Sequence, residues 1–505
     1  MVPKLINIKM FSVTHKIGEL NQFTGKCLQI KLSAPKKSTV THNNCAYVPQ
    51  RTIMDIPGPT MTESLVLLAK YGFRKHHIFV EEMFQRYGPI FRHSLPGARY
   101  IYVSDPSDIE RVFRSEEENR PYRGDIILTQ YAERKGLELG LAGDDKTWLK
   151  NRQLIAPKLL RLDALRPYYT EMLNVANDTI DNFKDGENGN MQDHLFRWAA
   201  ESMGVILFGI RIGTNYTELK KQAKAFICSV ENYFKAETKL FFNIPLHKYF
   251  MTPQLKKTFE YFDEMISITT DLAAETRKRI NSTTKNSMVT KLEEDDKVNK
   301  EYTMFIVNNL FLAAIHTTGS STLHLLHALS EHPDVQEKAY DEIKNILGTQ
   351  YQQPCHEQLS QFKYVRAVIK EGFRYNSTPL GNMRVTKSPI RIKGYQIPPG
   401  TNVVMSTVAS KEMQQQKYGD PERFAPERWL RDTEKADIHP FSSLPFSFGK
   451  RSCAGKRVVE MEKTLLLIRL LQKYKIVKNK DHVNWIFNVL VTPDRPYTMQ
   501  LKKRQ

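Results

Sequence analysis

The sequence predicts a mostly α-helical body with small β-sheets near each end of the chain. Three observations carry that expectation. Apolar residues recur at helical spacing through most of the segment from about residue 107 to about residue 375. Two short β-rich runs, IFRHSL and RYIYVS, stand before it, parted by Pro96 and Gly97. After Arg374 the texture changes: RIKGYQIPPGTNVVMS (391–406) reads as strand, turn and strand, and WIFNVLVTPDRPYTMQLKK (485–503) as closing strands.

The first 54 residues differ from the rest. Their only acid is Glu19, set against Lys4, Lys9, Lys16, Lys26, Lys31, Lys36, Lys37 and Arg51, with frequent Ser and Thr. A basic, acid-poor, hydroxyl-rich segment is expected to be an organelle transit peptide, with a disordered basic tail as the alternative. DIPGPT (55–60), stiffened by Pro57 and Pro59, is expected to be the hinge to a single catalytic domain, 55–505. Further on, DGENGN (185–190), EEDD (293–296) and GTQYQQP (348–354) are expected loops. A nearly all-apolar helix is expected from about Tyr302 to His332, which implies burial. An amphipathic helix is expected from about Gly455 to Tyr474.

Composition narrows the function. Hydrophobic residues make up 41% of the 505, enough for a sizeable core. The five cysteines (Cys27, Cys45, Cys228, Cys355 and Cys453) form no CxxC pair, which argues against a disulfide framework and structural zinc. The net charge of +19 suits an acidic protein partner or an anionic membrane surface. No zinc finger, RNA-binding signature or basic repeat is present, so nucleic acid is not an expected partner. No run of about 20 apolar residues occurs, so no spanning helix is expected.

The chemistry is concentrated in PFSFGKRSCAG (445–455). One cysteine follows two aromatics, a glycine and two cations, with no base for a nucleophile and no second cysteine for zinc. A thiolate beside a tight glycine turn suits a metal ligand, its charge softened by backbone N–H groups. The spacing Phe446, Gly449, Arg451, Cys453, Gly455 resembles the cysteine loop of the haem-thiolate monooxygenases, and the chain is identified as a member of the cytochrome P450 superfamily. The resemblance runs from about Asp55 to Arg504 and implies that family's mostly α fold. It further implies haem b as cofactor, with Cys453 as the proximal iron ligand that favours O–O cleavage.

The resemblance gives roles to other motifs. Glu371 and Arg374 share a helix face, and with Arg428 of FAPERW they match the E-x-x-R and P-E-R elements, a structural network behind the haem. Trp148 and Arg152, four apart, match the W-x-x-x-R pair that holds a haem propionate. Arg384 and Arg451 match the other propionate positions, as the guanidinium fork suits a carboxylate. The long helix carries Ala313, Ala314, Ile315, His316, Thr317 and Thr318. The family's threonine pair is kept, with Thr317 as the distal hydroxyl, but its glycine is alanine and its acid is His316. Three readings of His316 stay open: a working substitute in proton delivery, a mark of altered chemistry, or a helix-face residue without catalytic role.

Within the family, the mitochondrial branch is favoured over the microsomal one. The leader, the paired cations Lys456 and Arg457 after the cysteine loop, and Arg366 with Lys370 beside Glu371 all match it. These cations imply docking of an acidic [2Fe–2S] ferredoxin, supplied by an NADPH ferredoxin reductase. The substrate implied is lipophilic, such as a steroid, sterol or ecdysteroid, oxidised with O2 on the matrix side of the inner membrane. Its pocket is expected among 122–141, 313–317 and 378–383. KLFFNIPLHKYF (239–250) is expected to make peripheral membrane contact. The rivals are a microsomal-type enzyme of the endoplasmic reticulum acting on xenobiotics or lipids, and a haem-thiolate protein that binds or rearranges a lipid without activating O2.

Overall fold

The structure is a computed structural model. It describes residues 51–505 apart from 73, 96–97, 116–126, 138–144, 214–219, 243–245, 280–281, 297, 350, 431–437 and 479–482. The expected leader up to Gln50, and parts of the expected pocket and membrane segments, therefore lie outside the described residues.

The architecture is mostly α, as expected: helices around one large core, with small sheets at the side. After α1 (Met61–Tyr71) and α2 (His76–Tyr87), the expected hairpin forms as β1 (Ile90–Leu95) and β2 (Ala98–Val103). These pair antiparallel, Ile90 opposite Val103. Two strands from far along the chain complete the sheet, β3 (Gly381–Val385) and β4 (Asn402–Ser406), in the order β1-β2-β4-β3. β4 runs parallel to β2 and antiparallel to β3.

The helical body includes α3 (Asp145–Leu159), α4 (Met191–Phe208), α5 (Lys220–Phe242), α6 (Pro253–Lys278), α7 (Lys300–Glu331), α8 (Lys363–Tyr375) and α9 (Lys456–Lys473). α7 packs against α4, α6 and α8, so side chains on every face are buried. That is why its sequence lacks an apolar stripe. Its start is fixed by Asn299, whose side chain accepts from the Tyr302 amide at 2.7 Å.

Two expectations need correction. DIPGPT is not a hinge. Arg51 and Thr52 pair in parallel with Tyr395 and Gln396, and Ile53 and Ile56 enter the core beside the sheet. The Arg92 amide of β1 donates to the Pro57 carbonyl at 2.8 Å. A Cβ on Gly58 would sit 1.9 Å from the Arg92 carbonyl oxygen, so the backbones touch there. Apolar anchors three apart outweigh the two prolines, and the described body already includes Arg51–Ile56. Likewise DGENGN is not wholly loop: Gly186–Asn188 forms a strand antiparallel to Met499–Lys503. Its partner lies some 300 residues away, which local pattern cannot reveal.

Candidate active site

The cysteine loop is closed by its own backbone. The Cys453 amide donates to the Phe446 carbonyl at 2.8 Å, and Ser452 to Gly449 at 3.1 Å. Gly449 has φ +73°, a left-handed turn that suits glycine, and Ser447 shares that region at +61°. The loop delivers the half-buried Cys453 thiol to a cavity just before α9 begins.

This cavity has a volume of about 210 Å³. Cys453 and the start of α9 form one wall and Ala313, Ala314, Thr317 and Thr318 of α7 the other, with Trp148 and Arg152 of α3 at the side. The Arg451 guanidinium, 4% exposed, stacks 4.2 Å from the centre of the Trp148 ring. Arg152 reaches the Ser452 hydroxyl at 3.3 Å; burial lowers its pKa, while the nearby Cys453 raises it. Arg384, on β3 and 1% exposed, donates to the Ser447 hydroxyl at 3.3 Å and so meets the same loop.

Behind the loop lies a fully buried carboxylate, Glu371 of α8. Arg374 grips it with two bonds of 2.9 and 2.7 Å. The Ala425 amide adds a third at 2.9 Å and the Trp429 indole a fourth at 2.8 Å. The Arg428 Nε lies 3.4 Å away, close enough for charge attraction though not aligned to donate. Arg428 spends its other N–H groups on the carbonyls of Tyr418 and Asp420. Sequence pattern pointed to the three charged residues. It missed Trp429, whose only signal was an indole directly after P-E-R.

On α7 the expected residues part company. Thr317 faces the cavity, its hydroxyl donating back to the Ala313 carbonyl at 2.6 Å. Thr318 lines the cavity too and donates to Glu462 of α9 at 3.2 Å. His316 is not among the lining side chains. Its ring sits between Phe196 of α4 and Phe234 of α5, with centroids 5.1 and 4.7 Å away. Burial pushes its pKa down to about 3, so the ring is neutral near pH 7. Three consecutive helical residues do not share one face, and of the three His316 is the one turned into the packing between α4 and α5.

The sequence pattern running through these elements matches the family described as Cytochrome P450 over residues 56–501. The chain belongs to the cytochrome P450 family. Among its relatives, Cytochrome P450 10 of Lymnaea stagnalis is 28% identical over 468 residues, 89% of this chain and 86% of the relative. Probable cytochrome P450 12d1 proximal, mitochondrial, of Drosophila melanogaster is 28% identical, covering 88% and 89%. The mouse (Mus musculus) 25-hydroxyvitamin D-1 alpha hydroxylase, mitochondrial, is 29% identical, covering 90% and 93%.

As a cytochrome P450, the chain is a monooxygenase with a haem-thiolate cofactor. The residues present fit that group. Cys453 supplies a thiol to the cavity, and Arg152, Arg384 and Arg451, with the Trp148 indole, gather donors suited to propionate carboxylates. On the outer side of the loop a second cavity opens. Its floor is Ile369, Phe373, Trp429, Leu444, Pro445 and Phe446, and Arg366, Lys370 and Lys456 stand around it with Glu460. Arg457 is not in its lining and pairs with Glu460 at 3.0 Å.

Proposed function

We propose that this cytochrome P450 is a mitochondrial-type hydroxylase of a lipophilic, steroid-, sterol- or ecdysteroid-like substrate, taking electrons from an acidic [2Fe–2S] ferredoxin. The observation that carries the reading is the basic cavity behind the cysteine loop. It sets Arg366, Lys370 and Lys456 around the Phe446 side of the segment that bears Cys453. An acidic partner docked there would be steered by charge and would deliver electrons close to the thiolate. Relatives named as mitochondrial support the same branch. The basic, acid-poor stretch ahead of Arg51 serves as the leader to the matrix side of the inner membrane.

Haem b, when bound through Cys453, supplies O2 activation and insertion of one oxygen into a C–H bond. The chain's own residues do the rest. Trp148, Arg152, Arg384 and Arg451 orient the propionates, and the Glu371–Arg374–Arg428 network holds the cysteine loop from behind. The Thr317 hydroxyl is placed to hydrogen-bond oxygen in the cavity, with the substrate seated against Ala313 and Ala314. His316 packs α7 against its neighbours. Among the described residues no helix is long and apolar enough to cross a membrane. Phe241, Leu246, Tyr249, Phe250 and Met251 are exposed around the end of α5, and they give peripheral membrane contact.

The deciding experiment is the absorption spectrum of the reduced, carbon-monoxide-bound protein, followed by O2 consumption with either ferredoxin or a diflavin reductase. A strongly red-shifted Soret band and turnover with ferredoxin alone are expected. Turnover with the diflavin reductase alone would instead assign the microsomal branch.

A further inference from the structure

A further cavity lies apart from the two described above and shares no lining residue with either. Its volume is about 1020 Å³, and it is partly open to solvent. Arg74 and Lys75, exposed just ahead of α2, form one wall, and His327 and Glu331 near the end of α7 form another. Tyr375 of α8 and Trp485 of the C-terminal hairpin complete it. The protein's own bonds hold this frame. The hairpin pairs Trp485–Asn488 antiparallel with Leu490–Pro493. The Phe487 amide donates to the Arg74 carbonyl at 2.8 Å, which fixes the hairpin to the entry of α2. On the α7 side the His324 ring stacks on Trp485 with centroids 4.1 Å apart, and its Nε2 donates to the Val491 carbonyl at 2.9 Å.

Some of the polar groups in the lining are already satisfied. Lys478 pairs with Glu331 at 2.5 Å, and the Asn484 amide donates to Asp494 at 3.1 Å. Others are left over. The Arg74 and Lys75 side chains have no ion pair or hydrogen bond among the described residues, and the Trp485 indole N–H has no partner there. His77 also lines the cavity, with its Nδ1 buried and unpartnered. Burial lowers the His77 pKa, so it brings a neutral ring near pH 7. With Lys478 and Glu331 cancelling, the two free cations outnumber Asp494. Apolar surface lies beside them on Ile78, Val483, Ile486 and the Trp485 ring. A volume of about 1020 Å³ is more than an inorganic ion needs and is ordinary for a small organic ligand. We propose that this cavity is a second ligand site that binds a small organic anion, a ring-bearing apolar body with one carboxylate, sulfate or phosphate group. Arg74 and Lys75 take the charged head, as cations without a carboxylate of their own suit. Trp485, held flat by His324, takes the rings and offers its N–H.

The test uses the full-length haem-loaded protein with a haem-ligating azole in place, so that the haem-side cavity is filled. Calorimetric titration with 2-naphthalenesulfonate reads the site. Inorganic sulfate serves as the head without a body and 2-naphthol as the body without a charge. The sulfonate should bind with the azole still on the haem, shown by an unmoved Soret band, and should bind more weakly as salt rises. Sulfate and 2-naphthol should each bind at least about tenfold more weakly than the sulfonate. Arg74→Glu and Lys75→Glu, both at exposed positions, should each weaken the sulfonate about tenfold and leave 2-naphthol unchanged. Lys256→Glu, an equal charge change at an exposed position on α6, should leave the sulfonate unchanged. Trp485→Leu should weaken sulfonate and naphthol alike. No sulfonate binding, or binding that the azole abolishes, would overturn the proposal. So would sulfate binding as tightly as the sulfonate, or wild-type affinity in both Arg74→Glu and Lys75→Glu.

Discussion

The Arg451 guanidinium lies 4.2 Å from the centre of the Trp148 ring and so ties the cysteine loop to α3. A desolvated cation–π contact of this kind is worth about 2 kcal/mol. Trp148→Ala should release Arg451 and speed haem loss roughly tenfold or more. Transfer of haem to apomyoglobin measures this. Trp148→Phe, which keeps a ring face, should lose less.

Glu371→Gln should be among the most damaging single substitutions. It leaves the Arg374 guanidinium buried beside an amide, a loss on the order of 3–5 kcal/mol. Denaturant unfolding should show that loss. The carbon-monoxide spectrum should shift from the thiolate form to the unshifted form as the loop behind Cys453 loosens.

Reversing charge at the basic cavity should affect partner binding and leave the haem site intact. Lys370→Glu and Arg366→Glu should each weaken ferredoxin binding and flatten its dependence on ionic strength. Titrations at several salt concentrations check this, with an unchanged carbon-monoxide spectrum as control.

Acid should destabilise the fold before the carboxylates titrate. Burial lowers His76 and His316 to about 3, and His93 and His324 to about 4. The unfolded chain binds protons on these rings below about pH 6.5, while the folded chain resists down to the lowered values. The contribution of these rings is therefore full above pH 6.5 and falls as pH drops towards 4, by about 1.4 kcal/mol per unit for each ring, offset in part by Glu237 and Glu462, whose raised pKa values favour the folded chain as pH falls. Unfolding midpoints at pH 7, 6 and 5 should trace the slope, and His316→Phe should make it shallower.

Gly58→Ala should cost about 1–3 kcal/mol, because its Cβ would collide with the Arg92 carbonyl, which is backbone and cannot swing aside. A lowered melting temperature checks it.

The parts legible in the sequence were those whose partners are near or whose spacing is rigid. The hairpin at 90–103, the long buried helix and the cysteine loop lie in contiguous residues. Glu371 and Arg374 meet because they are three apart on one helix. His316 read as a candidate relay because it stands where the resembled family carries an acid, yet adjacent helical positions point about 100° apart, and only the packed structure shows which face meets the cavity. Glu462 was passed over because VVEMEKTLLL reads as an amphipathic helix with its charges in water. Its burial follows from the contact of α9 with α7, which joins residues 144 apart.

The ladder between Arg51–Thr52 and Tyr395–Gln396 also bears on maturation of the polypeptide. A processing peptidase that cuts ahead of Arg51 leaves this ladder whole. One that cuts beyond Ile56 would strip two apolar plugs, Ile53 and Ile56, from the cluster that includes Ile392 and Ile397. Residues 51–56 act as a strut for the sheet, and a cut within them would loosen it.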